Sequence, residues 1–270
     1  MRVVNMMSDP YMPLTSVNSG VLEEYAEGVF GLTVQIVNVY FIFDPDSREA
    51  VLIDAGMPKS APFILREAKE RFGDFRLKGI VLTHGHFDHV GALESLLETW
   101  PVPVYAHEKE MPYLTGKADY PPAKPQVKSG LVAKMSPLFP RHSINISSHV
   151  KQLNKDGSLP FLEGWKWIET PGHTPGHVSL FRQSDRTLIA GDAVTTVEQE
   201  SLFEVAIQKQ ELNGPPAYFT MDWTKAADSV RKLAGLKPAA LLTGHGVPMK
   251  GSDFSEALLD LSDRLPASDS

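Results

Sequence analysis

The sequence of 270 residues contains no cysteine. This absence excludes disulfide bonds, thiolate metal ligands and a cysteine nucleophile. Any transition metal would have to be held by histidine nitrogens and carboxylate oxygens, and the 9 histidines offer enough donors for that purpose.

Long apolar runs and an excess of positive charge are missing as well. No stretch approaches the roughly 18 consecutive apolar residues of a membrane helix, and the N-terminal segment lacks the apolar core of a signal peptide. Lys and Arg number 26 against 33 Asp and Glu, and the net charge of −7 disfavours nucleic acid as a partner. We expect a soluble, cytoplasmic protein that binds no membrane, acts on a small molecule and is compatible with a homo-oligomer.

The remaining composition, with 42% hydrophobic and 22% charged residues, is that of an ordinary globular chain. No linker divides it, so we expect a single domain over residues 1–270. Residues 108–150 lose periodicity and gather prolines, lysines and aromatic residues. A segment of this length is typical of a lid or an insert, and we expect it either to cap an active site or to form a dimer contact.

Short apolar segments alternate with helical patterns along the chain. Strands are predicted at Val21–Glu27, Leu32–Phe43, Ala50–Asp54, Leu159–Leu162, Trp165–Glu169, Val178–Phe181, Thr187–Ala190 and Ala239–Leu242, and in the segments KGIVLTH and VPVYAH. Helices are predicted at Ala61–Phe72 with Ser60 as N-cap, Val90–Thr99, Trp223–Leu233 and Phe254–Asp263. Several of the strands end in a side chain of a metal-binding type.

The densest group of such side chains is in the segment VLTHGHFDHVGALESLL, residues 81–97. A strand end fixes the direction of its last side chain, and the loop that follows can turn the next ones toward the same point. His84, His86, Asp88 and His89 can therefore converge. Four ligands do not fit one tetrahedral ion without strain, whereas two neighbouring ions accommodate them.

Three further donors follow apolar strands beside glycines, which let the backbone come close. They are His173 in TPGHTPGH, Asp192 in LIAGDA and His245 in LLTGHG. The seven donors make two open metal sites, with one carboxylate free to bridge them. Imidazole and carboxylate without sulfur favour zinc, and iron or manganese would also be accepted.

Four motifs together resemble the metallo-beta-lactamase superfamily, most closely its glyoxalase II and lactonase-like hydrolases. They are HxHxDH at 84–89, PGHTPGH at 171–177, GDA at 191–193 and GHG at 244–246, in the order and approximate spacing of that family. The resemblance covers nearly the whole chain. It implies the α+β class, a four-layer αβ/βα sandwich, and two metal ions in a cleft at one edge of the two sheets.

The resemblance also implies a role for each donor. It places His84, His86 and His173 on the first ion, Asp88, His89 and His245 on the second, and Asp192 between them as a bridge. Asp54, which ends the strand AVLID, resembles the family's aspartate that accepts the free N–H of a ligand histidine. His177 is left without a role.

Hydrolysis of an ester, thioester or lactone follows from this arrangement. Two divalent cations that share a hydroxide provide a nucleophile near neutral pH and polarise the carbonyl group. Asp88 is expected to orient the hydroxide and to pass a proton to the leaving group. Thr195, Tyr218, Met221 and Trp223 are candidates for the substrate pocket, although the aromatic stretch before the predicted helix also fits ordinary core contacts.

Other functions stay open at this stage. A phosphodiesterase would use nearly the same ligands, but the negative net charge disfavours a polynucleotide substrate. A beta-lactam hydrolase is disfavoured because the zinc beta-lactamases use cysteine or normally lack an aspartate such as Asp192. A mononuclear iron persulfide dioxygenase would not need the complete second donor set, and a non-catalytic binding protein would be expected to have lost donors. Lactonases carry tyrosine at the position of Thr195, so the substrate itself is left undetermined.

Overall fold

Two β-sheets pack face to face in this protein, and helices cover the outer face of each sheet. The computed structural model describes residues 19–20, 22–124, 135–199 and 209–266. The four layers confirm the predicted α+β fold class and αβ/βα sandwich.

The first sheet has seven strands in sequence order. They are β1 (Leu22–Ala26), β2 (Val29–Val34), β3 (Val37–Asp44), β4 (Glu49–Ile53), β5 (Arg76–Val81), β6 (Val104–Ala106) and β7 (Val150–Gln152). Strands β1 to β4 pair antiparallel, whereas β4 to β7 pair parallel. Because parallel strands end at the same edge, the loops after β4 and β5 leave the sheet side by side.

The second sheet has five strands, in the spatial order β12-β11-β10-β9-β8. They are β8 (Trp165–Glu169), β9 (Val178–Arg182), β10 (Thr187–Gly191), β11 (Ala240–Thr243) and β12 (Met249–Lys250). Strands β10 and β11 pair parallel and the other neighbours pair antiparallel. The loops after β10 and β11 therefore also leave from one shared edge.

Helices cover the outer face of each sheet. They are α1 (Ala61–Phe72), α2 (Phe87–Val90), α3 (Leu93–Thr99), α4 (Met111–Leu114), α5 (Trp223–Ala234) and α6 (Ser255–Arg264), with short 3₁₀ turns at Glu108–Glu110 and Ser136–Leu138. Helices α1 and α3 pack on the first sheet, and α5 and α6 pack on the second.

The central strands are buried on both faces, which explains why they appear in the sequence as nearly continuous apolar runs. In β3, Tyr40 and Ile42 lie between the two sheets, whereas Val39 and Phe41 pack under the helices. This alternation is the two-residue period of a β-strand. The two sheets thus share one apolar layer, and each sheet has a second core on its outer face.

Two strand predictions are corrected by the structure. Leu32–Phe43 is not one strand but a hairpin, in which Leu32 of β2 pairs with Val39 of β3 and the chain turns at Gln35, whose φ is 59°. The segment Leu159–Leu162 is a turn rather than a strand. Its two leucines are buried between the sheets, so burial rather than pairing accounts for their apolar character.

The helix predictions need smaller corrections. The predicted helix Val90–Thr99 is divided into α2 and α3, with a break at Gly91 and Ala92. Helix α1 has the predicted bounds, but the hydroxyl of Ser60 donates to the carbonyl of Met57 at 2.6 Å and makes no capping bond to the helix. The predicted strand beginning at Val21 has its first residue outside the described residues.

Candidate metal centre

The candidate metal-binding side chains lie on loops that leave both sheets at one edge. His84 comes shortly after β5 of the first sheet, and Asp192 and His245 follow β10 and β11 of the second. The backbone N–H of Asn38 donates to the carbonyl of Gly244 at 2.7 Å and holds the two sheets together there. Donors that are far apart in the sequence consequently meet at this edge.

Three histidines form the first cluster. The Nδ1 atom of His86 lies 3.1 Å from Nε2 of His84 and 2.9 Å from Nε2 of His173. All three rings are buried. Their nitrogens face one another, which is the arrangement of imidazole ligands around one cation.

The second cluster consists of Asp88, His89 and His245. The Oδ2 atom of Asp88 lies 3.3 Å from Nε2 of His245 and 4.0 Å from Nε2 of His89. Helix α2 provides the first two of these side chains from one short turn, directly after the loop that carries His84 and His86.

Asp192 lies between the two clusters. Its Oδ2 atom is 3.5 Å from Nε2 of His173, 3.5 Å from Nε2 of His89 and 3.3 Å from Nε2 of His245. A single carboxylate oxygen thus faces donors of both clusters. The structure brings all seven donors named in the sequence analysis into one place.

The donor set fits divalent cations. Nε2 of His89 and Oδ1 of Asp192 are buried and make no hydrogen bond within the described part of the chain. Burying such groups without a partner is unfavourable, and a cation would satisfy both. A Cβ atom on Gly244 would clash with Oδ1 of Asp192 and lie 2.8 Å from Cε1 of His89, so glycine leaves the space that these donors use.

The electrostatics of the two clusters differ. Burial lowers the pKa of His86 to about 4 and the pKa values of His84 and His173 well below 6.5. These rings are neutral at pH 7, which is the form that binds metals. Burial would also lower the pKa of His245, but the carboxylates of Asp192 and Asp88 outweigh it and raise that pKa to about 10. The second cluster therefore attracts positive charge.

Asp54 orients both a ligand and the loop beside it. Its Oδ2 atom lies 2.9 Å from Nδ1 of His89, and its two oxygens accept the backbone N–H and the hydroxyl of Thr83 at 2.7 Å each. A carboxylate facing Nδ1 keeps a proton on that atom and leaves Nε2 free to face the site. Asp54 has a φ of 60°, a conformation that aspartate and asparagine tolerate better than most residues.

Two other ligand candidates are held by groups that the sequence did not reveal. Nδ1 of His245 donates to the backbone carbonyl of Ile36 at 3.0 Å, and Nδ1 of His173 lies 3.4 Å from the hydroxyl of Thr220. A backbone carbonyl has no sequence signature, so the partner of His245 could not have been found without the fold.

His177 has a supporting place beside Asp192. Its Nδ1 atom lies 2.8 Å from the hydroxyl of Thr170, and its Nε2 atom accepts the backbone N–H of Asp192 at 2.9 Å. Both nitrogens are therefore engaged in hydrogen bonds. This ring fixes the backbone that presents Asp192 and does not offer a nitrogen to the clusters.

A cavity of about 210 Å³ lies beside His86. It is lined by His86, Tyr120, Pro121, Pro122, Lys124, Tyr218, Phe219, Thr220 and Met221. Of the four pocket candidates from the sequence, Tyr218 and Met221 line this cavity. Thr195 does not, because its hydroxyl donates to the carbonyls of Val197 and Gly214, and Trp223 packs in a separate apolar cluster.

Sequence reasoning missed Glu110, and it included Tyr120 only as one of the aromatic residues of the segment of residues 108–150 that could cap an active site. The ring of Tyr120 lies 4.5 Å from the ring of His86, and the hydroxyl of Tyr120 donates to the carboxylate of Glu110. Burial raises the pKa of Glu110, although its hydrogen bonds oppose that shift. Neither residue is in a recognisable motif, so no local signal gave either of them a specific role.

The comparison with known proteins agrees with this geometry. The sequence model of the metallo-beta-lactamase superfamily matches residues 32–245. The chain belongs to the metallo-beta-lactamase superfamily, as its motifs predicted. It is 67% identical over 261 residues to the probable metallo-hydrolase YflN of Bacillus subtilis (strain 168), with 96% of this chain and 99% of that protein covered.

Two further similarities are more distant. The chain is 26% identical over 159 residues to the hydroxyacylglutathione hydrolase GloC of Haemophilus influenzae, with 58% of this chain and 66% of that protein covered. The crystal structure of the B3 metallo-beta-lactamase BLEG-1 matches with a TM-score of 0.55 and 26% identity, over 83% of this chain and 94% of that one. The superfamily and the metallo-hydrolase relatives identify the protein as a metal-dependent hydrolase. Among the described residues, no helix has the length and apolar character needed to cross a membrane.

Proposed function

We propose that the protein hydrolyses an ester, thioester or lactone bond of a small molecule with two divalent metal ions, preferably zinc. The observation that carries this proposal is the convergence of seven buried nitrogen and oxygen donors at one edge of the sandwich. The first ion would be held by His84, His86 and His173, the second by Asp88, His89 and His245, with Asp192 shared between them. Nitrogen and oxygen donors without sulfur favour zinc, with iron and manganese as alternatives.

The metal ions and the protein have separate tasks in this proposal. When bound, the ions would polarise the carbonyl group and lower the pKa of a water molecule to roughly 7. Asp88, at 8% exposure, is the most exposed of the seven donors. In this proposal its carboxylate would receive a proton and pass it to the leaving group.

The cavity beside His86 supports a small substrate with an apolar portion. Tyr120, Phe219 and Met221 are among its apolar lining residues, and its volume of about 210 Å³ suits a short chain or a small ring. Because Tyr120, Pro121, Pro122 and Lys124 come from the segment of residues 108–150, we propose that this part of the segment forms one wall of the substrate site. Apolar walls also exclude water from the carbonyl group that is attacked.

A substrate panel on zinc-reconstituted protein tests the proposal. We expect two ions per chain, and turnover of p-nitrophenyl acetate, thioesters or lactones that exceeds turnover of a beta-lactam and of bis(p-nitrophenyl) phosphate. Asp192→Ala should lower kcat/KM by roughly 10²- to 10⁴-fold, because the bridge supports several kcal/mol of transition-state stabilisation. Asp46→Ala, at an exposed turn far from the donors, should leave both metal content and activity unchanged.

Three outcomes would contradict the proposal. One iron per chain without hydrolysis would favour the mononuclear dioxygenase hypothesis. Hydrolysis confined to the phosphate diester would favour a phosphodiesterase, and hydrolysis confined to the beta-lactam would favour a beta-lactam hydrolase.

A further inference from the structure

A buried carboxylate that the proposed chemistry does not use, Glu110, lies between the two loops that carry the three-histidine cluster. Its side chain has 0% exposure. Its Oε2 atom accepts the backbone N–H of Gly85 at 3.1 Å and the hydroxyl of Tyr120. Its Oε1 atom accepts the hydroxyl of Thr174 and the backbone N–H of Gly176, each at 2.8 Å.

Three of these four partners are sequence neighbours of the candidate metal-binding histidines. Gly85 separates His84 from His86, and Thr174 directly follows the third histidine of the cluster. One carboxylate therefore joins the loop after β5 to the loop after β8. A displacement of either loop would change the distances among the three ring nitrogens.

The glycines of both loops are needed for this contact. A Cβ atom on Gly176 would lie 2.8 Å from Cγ and from Oε1 of Glu110, and a Cβ atom on Gly85 would lie 2.8 Å from the hydroxyl of Tyr120. Only glycine lets these backbone N–H groups reach the carboxylate. The glycine that precedes His177 in the PGHTPGH motif is explained in this way.

We propose that Glu110 is a positioning residue for the three-histidine metal site and that it couples this site to the substrate cavity through Tyr120. The inference rests on the proposed dinuclear site. All four partners present hydrogen to Glu110, so the position requires a group that only accepts hydrogen bonds, as a carboxylate does. Tyr120 connects the carboxylate to the cavity, because its ring both lines that cavity and lies against His86.

Glu110→Gln is the most direct test, because glutamine has the same shape but presents N–H groups to two of the donors. Zinc titration of the apo-protein against a competing chelator should show one of the two sites weakened by roughly 10- to 100-fold, the usual effect of losing a group that orients a ligand. The other site should keep its affinity. Glu108→Gln, the same change at an exposed position two residues away, should alter neither site.

A variant that retains only one of the two metal sites identifies which site Glu110→Gln affects. His245→Ala should bind one ion, in the three-histidine cluster. Adding Glu110→Gln to it should weaken that remaining ion by the same factor, whereas adding Glu108→Gln should not. If Glu110→Gln does not fold, as judged by circular dichroism, then Thr174→Val and Tyr120→Phe test the inference in its place. Each of them removes one hydrogen bond to the carboxylate of Glu110.

The outcomes separate this inference from the proposed function. Weakening of the three-histidine site in Glu110→Gln, or in both single-bond variants, supports the inference. Two ions bound with wild-type affinities in these variants would overturn the inference alone. Fewer than two ions on the wild-type chain would overturn the proposed function and the inference with it.

Discussion

The two edges of the sandwich contain different arrangements of charged groups. At the edge where β5, β10 and β11 end, buried histidines and carboxylates face one another. The opposite edge has a larger cavity, about 380 Å³ against about 210 Å³ beside His86, lined by partly exposed charged groups. There Glu49 pairs with Arg76 at 2.7 Å and with Lys78 at 3.1 Å.

This difference shows that cavity size does not locate the functional site. Exposed ion pairs such as those at the opposite edge contribute about 0–1 kcal/mol each to folding stability. The partners of each pair neutralise each other's charge, so no ligand is needed. Buried carboxylates and imidazoles without enough partners are unfavourable unless a cation joins them. The smaller cavity therefore lies beside the candidate metal centre, and the larger one lies beside the ion pairs of Glu49.

The largest effect that tests this comparison is expected from a glycine substitution at the edge with the buried histidines. Gly244→Ala places a methyl group against Asp192 and His89, and should displace both donors. Because a displacement of about 1 Å in an active site can cost roughly 100-fold, we expect at least that loss in kcat/KM, with reduced zinc content by elemental analysis.

Gly164→Ala is the control at the opposite edge. Gly164 has a φ of 79° and no atom within 4 Å of an added Cβ, so the substitution should cost about 1 kcal/mol of unfolding free energy through backbone strain alone. Zinc content and kcat/KM should not change. Equal losses of zinc in the two variants would show that zinc binding does not depend on the edge with the buried histidines.

An intermediate effect is expected from Asp54→Asn. Asparagine tolerates the positive φ at this position, but only the oxygen of its amide accepts hydrogen bonds. It therefore cannot accept all the hydrogen bonds that Asp54 receives from Thr83 and from Nδ1–H of His89. The proton of His89 then moves to Nε2, which can no longer bind a metal. We expect the site containing His89 to lose zinc affinity by roughly 10- to 100-fold in a chelator competition assay.

The matched control is Asp44→Asn, at the exposed end of β3 on the opposite edge. Asp44 also accepts hydrogen bonds from its neighbours, at 2.9 Å from the N–H of Asp46 and 2.8 Å from the hydroxyl of Ser47. This variant should bind zinc as the wild type does. Wild-type zinc affinity in Asp54→Asn would instead show that Asp54 does not set the tautomer of His89.

The smallest effect concerns an exposed ion pair at the opposite edge. Partial burial of Asp185 would raise its pKa, but hydrogen bonds from Arg182 and Thr187 outweigh burial and lower the pKa from 3.8 to about 2. A carboxylate with a lowered pKa stabilises the fold above pH 4 and loses that contribution as the pH falls from about 4 to about 2. Asp185→Asn should therefore destabilise the protein near pH 7 and match the wild type near pH 2.

Because the side chain of Asp185 is 37% exposed, the difference near pH 7 should stay below about 1 kcal/mol in urea unfolding. Zinc affinity should not change. A difference that grows as the pH falls would contradict the assigned direction of the pKa.

The fold and the donor set were largely predictable because both have local signatures. Runs such as the one ending at Ile53 are apolar on both faces of a central strand, and the histidine motifs have short fixed spacings. The strand at Val150–Gln152 was missed because it is short and partly exposed. Leu159–Leu162 has the apolar composition of a strand although it is a turn, because its leucines are buried between the sheets.

The supporting contacts were not predictable in this way. Glu110 reaches Gly85 across 25 positions and Gly176 across 66 positions, and His245 reaches the carbonyl of Ile36 across 209 positions. No periodicity or motif spans such distances. The pairing of β5 with β6 in the first sheet and the packing of the two sheets against each other bring these groups together.

The amino-acid sequence by itself determined which atoms are available as metal donors and the order in which they occur, because side-chain chemistry and short spacings are local properties. Only the tertiary structure decided which donors share a cluster, which carboxylates orient them and which cavity lies beside them. Those relations depend on the edge at which the strands of two different sheets end, and that edge is set by long-range packing.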